Sequence, residues 1–331
     1  MIEFKDFFLN KTVMITGGLG FIGSNMAHKF VSLNPKRIII VDNLIEGCGG
    51  SMENIRGIED KVEVVKEDIG SEKVAELVKD VDFVFNLAGQ TGHSVSMENP
   101  VLDLELNYLS HLNFLESCRK NNPTVVIIFA STRQFYGVPK FLPVNEEHLI
   151  NPPDVNGINK WAAEQLHLLY SKVYGIRACS LRLTNIFGPR QRIKDAKLGV
   201  LPFFLGISLK GESISLFEPG TQIRDINYVD DVVDAFLVAA QFIDKTKGEA
   251  FNVGGEKICL VDFVKLIIEI NGGSYILKPF PPEKKKIDIG DYYSDYSKFS
   301  NVTGWHPITG LKEGVEKSLD FYKENREIYL K

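Results

Sequence analysis

The sequence predicts an α/β chain, a doubly wound parallel sheet carrying a smaller, mixed α/β C-terminal region. Short apolar runs alternate with helical patterns through the first half, and continuous apolar strands between helices form parallel sheets covered on both faces. Gly17, Gly20 and Gly23 fall between the first strand and the first helix. Beyond Asn185 the rhythm breaks, and glycine and proline punctuate the chain.

The β-branched run at 12–16 is the first strand, and the pattern at 21–33 the first helix. Strands follow at 37–41, 62–65, 83–87 and 125–129, the last preceded by a long helix over 101–120. A helix at 157–174 and a strand at 178–183 complete the regular part. Residues 188–220 and 272–290 read as loop-rich.

A length of 331 residues suffices for one large domain or two fused ones. The net charge of -5 argues against a nucleic-acid binder, which needs a clustered basic face. Lys284, Lys285 and Lys286 form the one conspicuous basic run and read as a solvated loop. Cys48, Cys118, Cys179 and Cys259 lack metal-ligand spacing and read as small buried thiols in a reducing compartment, so no metal is expected. Residues 1–10 are amphipathic and carry Glu3 and Asp6, unlike a signal peptide. No apolar stretch reaches the roughly 18 residues that span a bilayer. A cytoplasmic location, with no membrane partner, is the expectation.

The glycine spacing has a physical purpose. It permits a tight turn, a close backbone approach to a pyrophosphate, and close helix–sheet packing, with the phosphates at the helix N-terminus beside Phe21 and Ile22. Asp42, with Asn43, ends the second strand about 20 residues on, where a carboxylate accepts from the adenosine ribose and repels a 2′-phosphate. NAD is therefore favoured over NADP. Asp68 and Ile69 follow the third strand, placed for the adenine, and Leu87, Ala88 and Gly89 follow the fourth.

With Asn-Leu-Ala-Gly-Gln (86–90), Ala-Ser-Thr-x-x-Phe-Tyr-Gly (130–137), Asn-Ile-Phe-Gly-Pro-Arg-Gln (185–191), the run 222–232, Phe-Asn-Val-Gly-Gly (251–255) and Gly-Trp-x-Pro (304–307), the chain resembles the extended short-chain dehydrogenase/reductases. Within them it is similar to the NAD-dependent sugar-nucleotide epimerase/dehydratase family along nearly its whole length. The resemblance implies a Rossmann-type NAD-binding domain at 1–184, to which 225–255 returns, and a sugar-nucleotide-binding region at 185–224 and 256–331. It implies that Asn107 shapes the sheet edge near the cofactor, and that Ser94, Asn185 and Arg224 contact the nucleotide-diphosphate sugar, the arginine at its diphosphate. Arg224 could instead pair with Asp225 or Asp230. Arg190, Arg192, Lys194 and Lys197 could hold phosphates or lie in solvent.

In the family a tyrosine takes the sugar hydroxyl proton, a Ser/Thr hydroxyl shares the hydrogen bond, and a lysine four residues after the tyrosine holds the nicotinamide ribose. Thr132 and Lys160 match the last two, but Asn156 stands at the tyrosine position. A carboxamide has no useful pKa and cannot be the base. Three accounts stay open: another base, such as His93, Lys160 or a water held by Asn156; a catalytically silent binding protein; or an engineered substitution. Tyr136 matches a family tyrosine that accompanies the catalytic one.

The resemblance also bears on the reaction. Family 4,6-dehydratases carry Asp-Glu where this chain has Arg133-Gln134, and decarboxylases carry a glutamate at Gln134. The loop 89–96 resembles the epimerase branch. The expectation is an NAD-dependent epimerase oxidising and re-reducing C4 or C2 of a nucleotide-diphosphate hexose, with a 4-dehydrogenase or dehydratase as the alternative. A homodimer is implied, with Trp161, Leu166, Leu169 and Val173 on the pairing helix.

Overall fold

The computed structural model describes residues 4–286 and 288–330. The expectations for residues 1–3, for the Lys284 side chain and for Lys331 lie outside the described residues. Twelve strands are described: β1 (Thr12–Thr16), β2 (Arg37–Val41), β3 (Glu63–Val65), β4 (Phe83–Asn86), β5 (Val126–Thr132), β6 (Arg177–Leu183), β7 (Asn185–Phe187), β8 (Ile214–Phe217), β9 (Ile223–Tyr228), β10 (Ala250–Val253), β11 (Glu256–Cys259) and β12 (Tyr275–Lys278). Seven form one parallel sheet in the order β10-β6-β5-β4-β1-β2-β3. The order reverses between β1 and β4, and ligands of such sheets bind at the carboxyl ends of the strands beside that point.

The two-residue period of the strands splits the core into two layers. Val13, Ile15, Ile38 and Ile40 face one apolar cluster with Phe30 and Phe236, from the helices Phe21–Leu33 and Val229–Gln241. Met14, Ile39 and Val41 face the other with Phe114 and Tyr170, from the helices Ser110–Asn121 and Val155–Tyr174. Burying each such side chain stabilises by about 1.5–3 kcal/mol. This is the covered parallel sheet expected from the apolar runs.

Several elements differ from expectation. The helix expected at 157–174 starts at Val155, because the Asp154 carboxylate accepts from the Gly157 N–H at 2.7 Å and caps it. The helix expected over 101–120 runs as Pro100–Leu104, a π-helical turn Glu105–Leu109, and Ser110–Asn121. Within 188–220, expected to be loop-rich, lie the helix Val200–Leu209 and β8, and within 272–290 lie β12 and the short helix Pro282–Lys285. The first was obscured by its nearly uniform apolar run, which has no helical period. β8 and β12 pair with each other, a long-range contact no local pattern reveals. β10 joins the main sheet beside β6. Leu166 packs against the second cluster, so the exposed stripe of its helix is Trp161, Leu169 and Val173. Among the described residues no helix is long and apolar enough to cross a membrane.

Candidate active site

One cavity of about 790 Å³ runs over the carboxyl ends of β1, β2, β4 and β5 and on to β9. At its first end Gly17 has φ +65°, and a Cβ there would lie 2.8 Å from the Leu87 carbonyl oxygen. A Cβ on Gly23 would meet the Gly17 oxygen at 2.4 Å. Only glycine permits this contact of turn, strand and helix start, which is the cradle a dinucleotide pyrophosphate requires. Asp42 lines the same end; its carboxylate accepts from the Leu19 N–H at 3.1 Å and the Leu44 N–H at 2.9 Å. Burial raises its pKa, and those two bonds oppose the rise. Asp68 accepts from the Gly70 N–H at 2.8 Å and the Ser110 hydroxyl at 3.0 Å. Asn43, Ile69, Phe21, Ile22, Gly20, Leu87, Ala88 and Gly89 line the cavity too. These residues fit NAD.

Asn107 does not line the cavity and sits behind it. Its amide donates to the Gln90 carbonyl at 3.0 Å and its oxygen accepts from the Gln90 N–H at 3.2 Å, so it fixes the backbone after Gly89. Asn107 thus shapes the wall near the cofactor end without lining the cavity itself. The buried Asp103 unites this region: it accepts from Asn107 at 3.0 Å, Asn156 at 3.1 Å and Asn159 at 2.8 Å. Asn156 also donates to the Gln90 carbonyl at 2.8 Å, and its N–H to the Ser96 hydroxyl at 3.2 Å. Asn156 is thus a tie between helices. Its amide nitrogen is committed to the wall.

Thr132 and Lys160 both line the cavity. The Thr132 hydroxyl accepts from the Gln134 N–H at 3.2 Å. Lys160 is buried, with its ammonium 4.4 Å from the centre of the Phe129 ring. Burial lowers its pKa to about 8, against the pull of Asp103 and Glu164. Ser94 and His93 face the same cavity, and the His93 Nδ1 stands 3.1 Å from Asp154 Oδ2. That contact is off the line of a well-aligned hydrogen bond. Asp154 also accepts from the Gln134 side-chain amide at 2.8 Å. Burial works to raise the Asp154 carboxyl, yet His93, the Gly157 N–H and Gln134 outweigh it and leave it below its ordinary value. Tyr136 is fully buried and donates to Asn252 at 2.9 Å, and burial raises its pKa strongly. Among the described residues no tyrosine lines the cavity.

At the far end Arg224 pairs with Asp288 at 3.2 Å, not with Asp225 or Asp230, and donates to the carbonyls of Ile223 and Gly290. Burial, then the charge of Arg133, lowers it to about 10 against the pull of Asp288. Asn185 lines this end and accepts from Arg133 at 3.3 Å. Arg190 does not line the cavity. It donates to Asn25 at 2.8 Å and lies over the Phe321 ring, joining the first helix to the helix Leu311–Glu324. Arg190 is therefore a structural tie rather than either of the two roles left open in the sequence. Arg192 and Lys197 reach the wall, Arg192 paired with Asp195. Cys118 and Cys179 are buried as expected, but Cys48 and Cys259 are only partly so, and Cys48 lines the cavity. Among the described residues no cluster of three or more His, Cys, Asp or Glu could hold a metal ion.

Sequence reasoning missed Asp103 and Asp154, and read Arg133 only as an absent carboxylate. Arg133 lines the cavity with Nη1 buried and without a partner, stacked over Tyr292 at 4.7 Å. The one available signal was for Asp154: an aspartate three residues before a glycine at a helix start is an N-cap pattern.

Comparison with known proteins agrees with this architecture. The sequence model of the NAD dependent epimerase/dehydratase family matches residues 13–254. A putative UDP-glucose 4-epimerase of Methanocaldococcus jannaschii is 36% identical over 319 residues, covering 95% of this chain and 99% of the relative. The crystal structure of a UDP-glucose 4-epimerase with UDP-glucose from Thermotoga maritima has a TM-score of 0.85 at 30% identity, covering 95% of this chain and 99% of that one. A Thermus thermophilus UDP-glucose 4-epimerase in complex with NAD has a TM-score of 0.82 at 30% identity, covering 94% and 99%. A Rossmann-type sheet, a glycine cradle fitted to NAD and a family match over most of the chain lead to one conclusion: the chain belongs to the NAD-dependent epimerase/dehydratase family.

Proposed function

We propose that the chain is an NAD-dependent nucleotide-sugar epimerase that transiently oxidises one sugar carbon, C4 or C2, of a nucleotide-diphosphate hexose. The observation that carries the reading is one continuous cavity joining the Gly17–Asp42 cradle, Thr132, Lys160 and Arg224. The positions after Thr132 are Arg133 and Gln134, so the acid–base carboxylates that eliminate water are missing there.

In this reading the glycine turn and the N-terminus of helix Phe21–Leu33 hold the pyrophosphate. Asp42 and Asn43 take the adenosine ribose, Asp68 and Ile69 the adenine, and Lys160 the nicotinamide ribose. NAD, when bound, supplies the hydride acceptor. Ser94 and Thr132 orient the sugar hydroxyls. Asn185, Arg133 and Arg224 hold the diphosphate end, for which a planar guanidinium fork is suited.

A second reading is a silent binding protein, favoured by one observation: Asn156 is tied to Asp103 and Gln90. A single experiment separates the readings. The chain and Asn156→Tyr are incubated with NAD and UDP-, GDP-, CDP- and dTDP-sugars, and the products are read by NMR. The expected result is a new epimer from the native chain without net NADH. Asn156→Tyr is expected to be less active, since it strips a donor from Asp103. Activity confined to the tyrosine variant would support the silent reading, and steady one-to-one NADH release a 4-dehydrogenase.

The exposed Trp161, Leu169 and Val173, with Val101, Leu104 and Leu109 on the neighbouring helical segments, suit pairing with a second copy. Sedimentation is expected to give a dimer, and Trp161→Glu combined with Val173→Glu a monomer. An unchanged dimer in that variant would dismiss this face.

A further inference from the structure

We propose that His93 is the base that takes the place of the absent tyrosine, with Asp154 as its positioning residue. The assignment rests on the epimerase reading above and deepens it. Asn156 cannot accept the proton. The groups lining the cavity that could do so are few, and most are committed elsewhere. Asp42 and Asp68 accept backbone N–H groups at the cradle end. Asp288 is paired with Arg224, and burial pushes the Cys48 thiol up. Lys160 is assigned to the nicotinamide ribose, with its ammonium over the face of Phe129.

His93 is the one histidine among the described residues that lines the cavity, and its side chain is 38% exposed while that of Asp154 is 0% exposed. The negative charge of the buried Asp154 carboxylate, 3.1 Å from Nδ1, favours the tautomer with its proton on Nδ1 even off the hydrogen-bond line, which leaves Nε2 as the acceptor. The chain ties this pair to the site. Gln134 donates its side-chain amide to Asp154 at 2.8 Å and its backbone N–H to the Thr132 hydroxyl at 3.2 Å. His93, Asp154, Gln134 and Thr132 therefore form one continuous set. Asp154 also caps the helix that carries Lys160, so one carboxylate orders both ends of the set.

The balance is simple. The hydroxyl proton of the sugar carbon passes to Nε2 of His93, giving an imidazolium. The carbon's hydrogen leaves with two electrons as hydride to NAD+. Return of both restores the hydroxyl and the neutral ring, so no other oxidant or reductant enters.

The test uses the full chain, His93→Gln and Asp154→Asn; asparagine also caps helices, so the fold is expected to survive. Nitrogen-15 NMR of the ligand-free chain is expected to show His93 protonated on Nδ1, with the Nε2-protonated form gaining in Asp154→Asn. His93→Gln is expected to lower kcat at least about 100-fold, the scale of general-base catalysis. NAD affinity should stay within about twofold, and added imidazole should restore part of the rate. A native Nε2-protonated ring overturns the assignment. So does an active native chain with an equally active His93→Gln, which leaves the epimerase reading standing. No epimer from the native chain removes that reading and this assignment with it.

Discussion

Replacing Glu164 with leucine is expected to lower folding stability by about 3–5 kcal/mol, the cost of leaving one half of a buried ion pair. Glu164 is 0% exposed and faces Arg182 at 2.7 Å. Its second oxygen accepts from the Ser180 hydroxyl at 2.9 Å. Arg182 in turn donates to the Tyr136 hydroxyl at 2.5 Å, and Tyr136 donates to Asn252 on β10. The pair therefore joins the helix Val155–Tyr174, β6, β10 and the turn after Thr132. Urea unfolding of Glu164→Leu checks the value. The double variant with Arg182→Met should recover most of the loss, because the stranded charge is gone. A loss below about 1 kcal/mol would mean that water reaches Arg182.

The second large effect is expected at Lys160. Burial holds its pKa near 8 in the folded chain, against 10.5 for an ordinary lysine. Between those values the unfolded chain binds the proton more often, so stability rises with pH. Each pKa unit is worth about 1.4 kcal/mol, so the native chain should gain on the order of 3 kcal/mol over Lys160→Met from pH 8 to 10.5. Below pH 8 the difference between the two should be flat. Unfolding both proteins in urea at pH 7 and pH 10 makes the comparison, and other groups cancel. An equal difference at both pH values would place the Lys160 titration in the ordinary range. Lys160→Met is also expected to lose epimerisation by about 100-fold or more, an effect set beside its higher stability at neutral pH.

Much of the site's first half was legible in the linear sequence. The runs at β1, β2 and β4 are strands on their own composition, and Gly17, Gly20 and Gly23 declare a turn that no Cβ could share. Asp42 follows from its distance along the chain. These are local facts, since each depends on residues within one strand–turn–helix unit. Arg190 was misplaced for the opposite reason: its partners Asn25 and Phe321 come from opposite ends of the sequence.

By itself, the sequence determined the covered parallel sheet, the NAD cradle and a carboxamide at position 156, which cannot serve as a base. Apolar period, backbone freedom at glycine and side-chain chemistry are properties of short segments. Only the tertiary structure decided what Asn156 does, because Asp103 and Gln90 reach it from other elements. It also paired His93 with Asp154, and Arg224 with Asp288 in place of its sequence neighbours. Burial alone set the direction of the Lys160 shift. Desolvation and hydrogen-bond geometry depend on the distances between remote groups, and those distances exist only once the chain has folded.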